Sequence, residues 1–155
     1  MRAFAIRSSE EGVRMRVRKA NEDDAPVLEK IFSSLYKPEK KWSEGRIREK
    51  MKTGRREYYL LVEEIGQGAI ELEWGVNECE LVAIAAHPRG KGIGSRLITF
   101  AEDLALDKSC HKIWCYTLDT NHSEGFYSRR KWEQEDYLPN FLGEQGCFKF
   151  FKELR

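Results

Sequence analysis

The residues best suited to chemistry form a glycine-rich run, RGKGIGSR, between an apolar stretch and an amphipathic one. Glycines allow a tight turn and a close approach of the backbone to a ligand. Free amides at the start of a helix, together with the helix dipole, attract anions. Arg89, Lys91 and Arg96 add positive charge, so the run predicts a phosphate or pyrophosphate site. The predicted contacts are Arg89, Gly90, Lys91, Gly92, Ile93, Gly94 and Ser95.

The spacing of this run separates it from two common phosphate-binding motifs. A P-loop requires GxxxxGK followed by Ser or Thr, and the order here differs. A dinucleotide fingerprint requires GxGxxG, and the last glycine is missing. Arg89, Gly92 and Gly94 instead satisfy R-x-x-G-x-G. A tight strand-to-helix turn without a ligand is the less favoured alternative.

With this motif the sequence resembles the GNAT superfamily of N-acetyltransferases, from about Met15 to the C-terminus and most strongly over residues 79–132. The resemblance implies that the loop holds the pyrophosphate of acetyl-CoA. It also implies that strand 80–87, with Ile84, Ala85 and Ala86 as contacts, pairs with the pantetheine arm. Relatives place two or three residues between the His-Pro pair and the arginine, whereas His87-Pro88 abuts Arg89 here. A tighter loop is therefore expected.

Residues 121–132 resemble a second family segment, N-x-x-A-x-x-F-Y-x-K-x-G-F. The resemblance makes Tyr127 the general acid that protonates the leaving thiolate, and a phenol is suited to that role. Its alternative is a buried aromatic that packs the short helix, with Tyr116 and Tyr137 as substitutes. Asn121 lies six residues before the tyrosine rather than seven. Either Asn121 or Thr120 is thus expected to contact pantetheine.

Glu80 is the candidate base that removes a proton from the attacking amine. A carboxylate on an otherwise apolar strand is prone to a raised pKa, and histone-type members of the family carry their catalytic glutamate at this register. The alternative is an exposed strand start. Period-two alternation places it on one face with Val82, Ile84 and Ala86. Glu71 and Glu73 share a face of another strand, lining the acceptor cleft or forming a solvated surface.

Cys115 could in principle carry an acyl group. The sequence arranges no histidine and carboxylate to activate it, and a buried cysteine is usually a small hydrophobe. Direct transfer within a ternary complex is therefore favoured over a covalent acyl-enzyme.

Residues 136–144 resemble the YYPxYYG loop of RimI-like N-terminal acetyltransferases, in which aromatic side chains clamp the substrate. Tyr137 and Tyr116 are accordingly candidate substrate contacts, and a packed lid is the alternative role of the loop. Small amines are favoured as acceptors no more and no less than peptide N-termini and lysines. A non-catalytic CoA or acyl-CoA sensor is the alternative function.

The elements that position these residues follow from hydrophobic periodicity. The predicted order is a strand, two helices, strands over 58–64, 69–74 and 79–86, a long helix, strand 112–118, a short helix over 123–130 and strands over 133–137 and 147–151. Gly66, Gln67 and Gly68 are predicted as a hairpin turn. The fold class is a single-domain α/β (α+β) GNAT fold, a mixed sheet flanked by helices. The transferase domain spans 13–155, and residues 1–12 form an arm or an extra edge strand.

Composition limits the other function classes. The 155 residues carry 27 Lys plus Arg against 26 Asp plus Glu, a net charge of +1. This balance disfavours nucleic acid as partner, so the basic stretches 14–19 and 46–56 are predicted to be solvated surface. No bilayer-spanning run or signal peptide is found. The four cysteines lack CxxC spacing, so free thiols, a cytoplasmic location and no metal are expected. A homodimer is common in the family, but no interface is specified.

Overall fold

The computed structural model describes residues 4–8, 13–35 and 41–154. Within these ranges eight strands form one mixed sheet in the order β1-β2-β3-β4-β5-β6-β8-β7. Only the β5–β6 pair is parallel in this part of the chain. The strands are β1 (Phe4–Ser8), β2 (Val13–Lys19), β3 (Arg56–Glu63), β4 (Gly66–Trp74), β5 (Glu78–His87), β6 (Lys112–Leu118), β7 (Glu133–Leu142) and β8 (Gln145–Glu153). The predicted mixed sheet and fold class are confirmed.

Helices cover both faces of the sheet. They are α1 (Ala25–Phe32), α2 (Glu44–Met51), α3 (Ile93–Asp107) and α4 (Glu124–Arg129). Asn21 caps the turn before α1 in a capping box, and Ser43 caps α2 by accepting from the Arg46 amide. Helices α1 and α2 pack on what we call the front face, with Leu28, Ile47 and Tyr58 in its core. Helix α3 packs on the back face, where the largest core cluster lies.

The two glycines near the start of β4 have a packing role instead of the predicted turn role. Strand β4 already begins at Gly66, which pairs with Glu63. A Cβ on Gly68 would lie 2.8 Å from side-chain atoms of both Ile93 and Leu97. The prediction of a turn at 66–68 is therefore wrong, since these residues already belong to β4. The absence of side chains on the two glycines instead lets α3 approach the sheet closely.

A β-bulge in β5 overturns the predicted sharing of one face. Leu72 of β4 pairs with Leu81, but Glu71 pairs with Ala83, so Val82 has no opposing residue on β4. The extra residue reverses the alternation that follows it. Ile84 packs in the back-face core, whereas Ala83 and Ala85 pack at the front. Cys79 and Leu81 pack in the back-face core, so the Glu80 side chain between them lies on the front face. Glu80 therefore does not share a face with Ile84 and Ala86.

The segments near the two ends of the chain include both edge strands of the sheet, β1 and β7. Residues 4–8 form β1, antiparallel to β2, and the other residues of the 1–12 segment lie outside the described ranges. Strand β7 extends to Leu142, so the predicted loop over 136–144 is mostly strand, with register shifts along it. Over the described residues, no helix is both long and apolar enough to cross a membrane.

Candidate active site

A gap in the sheet between β5 and β6 is the central feature of the site. In the described chain these strands pair at only three positions, from Glu78 opposite Lys112 to Glu80 opposite Trp114. Both strands then continue, β5 to His87 and β6 to Leu118, without pairing with each other. The backbone groups that border the gap are therefore open to hydrogen bonds from a ligand. Ile84, Ala85 and Ala86 lie on this part of β5.

The glycine-rich loop stands at the end of β5 that borders the gap. Gly92 caps α3 with φ +82°, and Gly90 has φ +80°. A Cβ built on either glycine meets no heavy atom within 4 Å, so the loop surrounds open space. Helix α3 has no side-chain cap at its start and no acidic residue in its first turn. Its first amides are therefore free to bind an anion.

The charged side chains of the loop divide into two groups. Arg89 and Lys91 are exposed and have no ion-pair partner in the described chain. Arg96 instead pairs with Glu63 of β3 at 3.4 Å. Two of the three predicted cations thus remain available to phosphate.

Glu80 lies at the vertex of the gap on the front face. Its side chain is half-buried and makes no hydrogen bond or ion pair to any described residue. Burial raises the pKa of the Glu80 carboxyl, and the charge of Glu73 on the neighbouring strand raises it further. A carboxylate with a raised pKa and no fixed partner is suited to accept a proton.

Tyr127 lies on the back face, on α4. It is 4% exposed, its ring stacks on Phe150 at 5.3 Å, and it meets Phe126 edge-on at 5.1 Å. Burial and a hydrogen bond with the Cys115 thiol raise its pKa well above the usual tyrosine value, so the phenol keeps its proton. The ring is thus core packing, and the hydroxyl lies beside β6, which borders the gap.

Glu71 and Glu73 are engaged by arginines. Glu71 is 0% exposed, and its carboxylate accepts hydrogen bonds from Trp42 at 2.7 Å, from Tyr58 at 2.9 Å and from Arg56. Glu73 accepts from Arg56 at 2.5 Å and from Arg55 at 3.0 Å. Glu71 is therefore closed to an acceptor in this structure, which corrects its predicted place in the cleft lining.

Tyr116 and Tyr137 lie on opposite faces of the sheet. Tyr116 pairs with Lys149 at the front, whereas Tyr137 pairs with Phe148, which packs on the back-face core. The Tyr137 hydroxyl donates to Asp119 at 2.9 Å. The two predicted substrate contacts are therefore not brought together, and only Tyr116 shares a face with Glu80.

A family model for the acetyltransferase (GNAT) family matches residues 20–132, which span the front helices, the loop and α4. The chain belongs to the GNAT family. GNAT acetyltransferases use acetyl-CoA as acetyl donor. Among curated proteins, none matches the sequence.

Solved structures support the GNAT fold at low sequence identity. The N-acetyltransferase PaiA from Thermoplasma acidophilum, solved with coenzyme A, has a TM-score of 0.72 and 20% identity, covering 91% of this chain and 99% of that one. The spermidine/spermine N-acetyltransferase of Vibrio cholerae, in mutant forms, has a TM-score of 0.73 and 17% identity, and the match covers 90% of this chain and 95% of that one. The ribosomal-protein-S18-alanine N-acetyltransferase of Escherichia coli has a TM-score of 0.74 and 14% identity, and the match covers 89% of this chain and 92% of that one.

The residues present fit acetyl-CoA, the donor used by the GNAT family. The open space over Gly90 and Gly92, the uncapped α3 amides and the free Arg89 and Lys91 suit a pyrophosphate. The unpaired stretch of β5 suits an amide-containing arm such as pantetheine.

The two candidates for the asparagine of the second segment make different hydrogen bonds. The Asn121 amide donates to Thr117 of β6 at 3.4 Å, whereas the Thr120 hydroxyl turns to Gln145 of β8 at 3.3 Å. Asn121 is thus held against β6, one of the two strands that border the gap. We propose Asn121 as the pantetheine contact.

Replacing Asn121 with Ala should raise the KM for acetyl-CoA about fivefold to tenfold, since one hydrogen bond contributes roughly 1 kcal/mol. The kcat should change little. Thr120→Ala is the matched control and should leave both constants near the wild-type values. Steady-state kinetics with varied acetyl-CoA measures both, and a larger effect of T120A would reverse the assignment.

Arg130 is a residue that sequence reasoning missed. Its guanidinium donates to Ser95 on the first turn of α3 and to the Phe126 carbonyl at 2.8 Å, and it lies 4.0 Å from the Phe126 ring centroid. It therefore ties the loop helix to the helix that carries Tyr127. Its position in the segment that contains Phe126 and Tyr127 was the only available signal.

The cysteines contribute no nucleophile. Cys79, Cys110, Cys115 and Cys147 are free and buried. Burial raises the pKa of the Cys115 thiol to about 12, so it is protonated near neutral pH. Among the described residues, no group of three His, Cys, Asp or Glu side chains could hold a metal ion.

Proposed function

We propose that this GNAT protein is an N-acetyltransferase that moves an acetyl group from acetyl-CoA to a primary amine by direct transfer. The observation that carries the proposal is the β5–β6 gap, which has Glu80 on its front side and α4 with Tyr127 on its back side. A base on one side and an acid on the other match the needs of thioester aminolysis.

Each residue has a separate role in this proposal. The loop amides, Arg89 and Lys91 bind the pyrophosphate, and the free edge of β5 aligns the pantetheine arm. Bound acetyl-CoA supplies a thioester whose carbonyl carbon is open to attack by an amine. Backbone amides of β5 beyond Glu80 face the gap and can donate to the carbonyl oxygen as it gains negative charge.

Proton transfer completes the proposal. Glu80 accepts the proton that the ammonium form of the acceptor must lose before attack. Tyr127 donates a proton to the departing thiolate, and the second proton that the attacking nitrogen loses on becoming an amide restores the phenol. Its raised pKa keeps the proton on the hydroxyl until the thiolate develops.

The raised pKa of Glu80 predicts the acidic limb of the pH profile. The base is active only when deprotonated, so kcat should rise with pH through a value above the ordinary glutamate range. Glu80→Gln should remove this limb and lower kcat about a hundredfold, within the range of general-base effects. Glu78→Gln, which changes an exposed glutamate on the same strand, is the control. An unchanged acidic limb in E80Q would exclude Glu80 as the base.

A thiol-release assay tests the function itself. The protein is incubated with acetyl-CoA and a panel of amines and peptides, and free CoA thiol is measured. Amine-dependent thiol release supports the transferase. Tight acetyl-CoA binding without turnover on any amine would instead support the sensor function.

The solved relatives have different acceptors by name, since one is a spermidine/spermine N-acetyltransferase and another a ribosomal-protein-S18-alanine N-acetyltransferase. We propose a small molecule or a protein amine as acceptor, with a RimI-like peptide N-terminus among the candidates. The four free buried thiols suit a reducing compartment, and we propose the cytoplasm.

A further inference from the structure

We propose that the acceptor is a primary amine with a single positive charge and an aromatic or other apolar body, rather than a polyamine. This inference rests on the proposed function and concerns the acceptor side of the same site. Two observations carry it: the pairing of the front-face charges, and a row of aromatic rings beside Glu80.

The front face has little uncompensated negative charge near the gap. Glu71 and Glu73 are both paired with Arg56, and Glu73 also with Arg55. Glu78, at the exposed start of β5, makes no hydrogen bond or ion pair to a described residue, and its cross-strand neighbour Lys112 pairs with Glu135 instead. Beside the gap, Glu80 is the one carboxylate in the described chain without a hydrogen bond or ion pair. A polyamine needs a separate carboxylate for its second charge, and Glu78 could supply one only at the end of the β5–β6 ladder away from the gap.

The rings next to Glu80 form what we call the aromatic shelf, consisting of Trp114, Tyr116 and Phe141. Trp114 is the cross-strand neighbour of Glu80. The Trp114 and Tyr116 rings are 5.3 Å apart, and Tyr116 stacks on Phe141 at 5.7 Å. Tyr116 is 39% exposed and Phe141 48%. The aromatic shelf therefore offers an apolar surface that begins beside the proposed base.

A lysine on the aromatic shelf opposes a second cation. The Lys149 ammonium lies 4.7 Å from the Trp114 ring centroid and 5.8 Å from that of Tyr116. It already occupies the position where a ligand cation would interact with these rings. Its partner Glu135, 3.7 Å away, is shared with Lys112. A substrate that reaches along the aromatic shelf should therefore have a neutral or anionic substituent there.

The acceptor preference follows from these two features together. The amine lies at Glu80, and its apolar body covers the aromatic shelf. Phenethylamine has this chemistry as a free small molecule, and a dipeptide amide with N-terminal Phe has it as a peptide. Spermidine lacks it, because its extra charges would meet Lys149 without a matching carboxylate.

A competition between acceptors tests the preference directly. Thiol release from acetyl-CoA is measured with phenethylamine, with the Phe-Gly dipeptide amide and with spermidine. We expect kcat/KM to be at least tenfold higher for the better of the two aromatic acceptors than for spermidine. The relative rates of the first two acceptors tell a free amine from a peptide. Equal or faster acetylation of spermidine would overturn the inference while leaving the proposed function intact.

A variant series tests the aromatic shelf as the cause. Phe141→Ala and Tyr116→Ala should each raise the KM for the preferred aromatic acceptor about tenfold, in line with the loss of an aromatic contact and its buried area. The KM for acetyl-CoA should not change. Leu106→Ala removes an apolar side chain of similar exposure, 44%, from the far end of α3 and serves as the control.

The outcomes separate this inference from the function beneath it. If F141A and Y116A leave the acceptor KM unchanged, or slow all acceptors equally, the aromatic shelf does not select the substrate. If acetyl-CoA binds but no amine of any class releases thiol, the transferase proposal fails and this inference fails with it.

Discussion

Replacing Gly92 with Val should abolish acetyl-CoA binding, with the Kd rising by more than about a hundredfold, which corresponds to roughly 2.7 kcal/mol. Gly92 has φ +82° and faces open space at the start of α3. A valine side chain would fill the space proposed for the pyrophosphate and would disfavour the backbone that aims the α3 amides. Isothermal titration calorimetry with acetyl-CoA measures the effect.

Gly54 provides a matched control for this substitution. It has φ +80°, and a Cβ on it also meets nothing within 4 Å, but it lies after α2, away from the loop. Gly54→Val should cost similar backbone strain, roughly 1–2 kcal/mol of folding stability, without a change in Kd. Thermal unfolding verifies that both variants fold. Wild-type affinity in folded G92V would place the cofactor elsewhere.

Tyr127→Phe should lower kcat about a hundredfold to a thousandfold, the range expected for a general acid. The phenyl ring keeps the contacts with Phe126, Trp132 and Phe150, so the fold and the Kd for acetyl-CoA should be preserved. Single-turnover measurement of thiol release isolates the chemical step. The deficit should shrink with an acetyl thioester whose leaving thiol has a lower pKa, because that thiolate needs less help from an acid.

Tyr59→Phe is the matched control for Tyr127→Phe. Tyr59 is also 4% exposed, and its hydroxyl donates to Glu57 at 2.7 Å, far from the gap. Both variants lose one buried hydroxyl with a partner, so both lose some stability. Only Y127F should lose kcat. If both variants retain full kcat, Tyr127 is a packing residue, and the acid is another group or water.

Much of the architecture was predictable because it follows from the pattern of apolar residues. The apolar run of β5 and the amphipathic stretch of α3 are local patterns, and each predicted the observed element. The R-x-x-G-x-G run likewise predicted a tight strand-to-helix loop, in which Gly92 has φ +82°. Local signals thus predicted the loop on which the proposed cofactor site lies.

The acceptor side depends on contacts that no local pattern encodes. The bulge at Val82 inserts one residue into an unbroken apolar run, so period two cannot reveal where the faces exchange. Glu71 looks like a surface residue until Trp42, Arg56 and Tyr58 surround it. Arg130 gains its role only because α4 packs against the start of α3. In each case the deciding partner is distant in sequence.

The three-residue pairing between β5 and β6 has a thermodynamic consequence. A sheet normally gains cohesion from a full ladder between neighbouring strands, and here the ladder stops where the gap opens. A donor molecule bound in the gap would supply hydrogen bonds to the unpaired strand edges and would connect the two parts of the sheet. Its binding energy is then also folding energy, by ordinary mass action. The free energy of unfolding would therefore be highest with the donor bound and would rise with the concentration of acetyl donor.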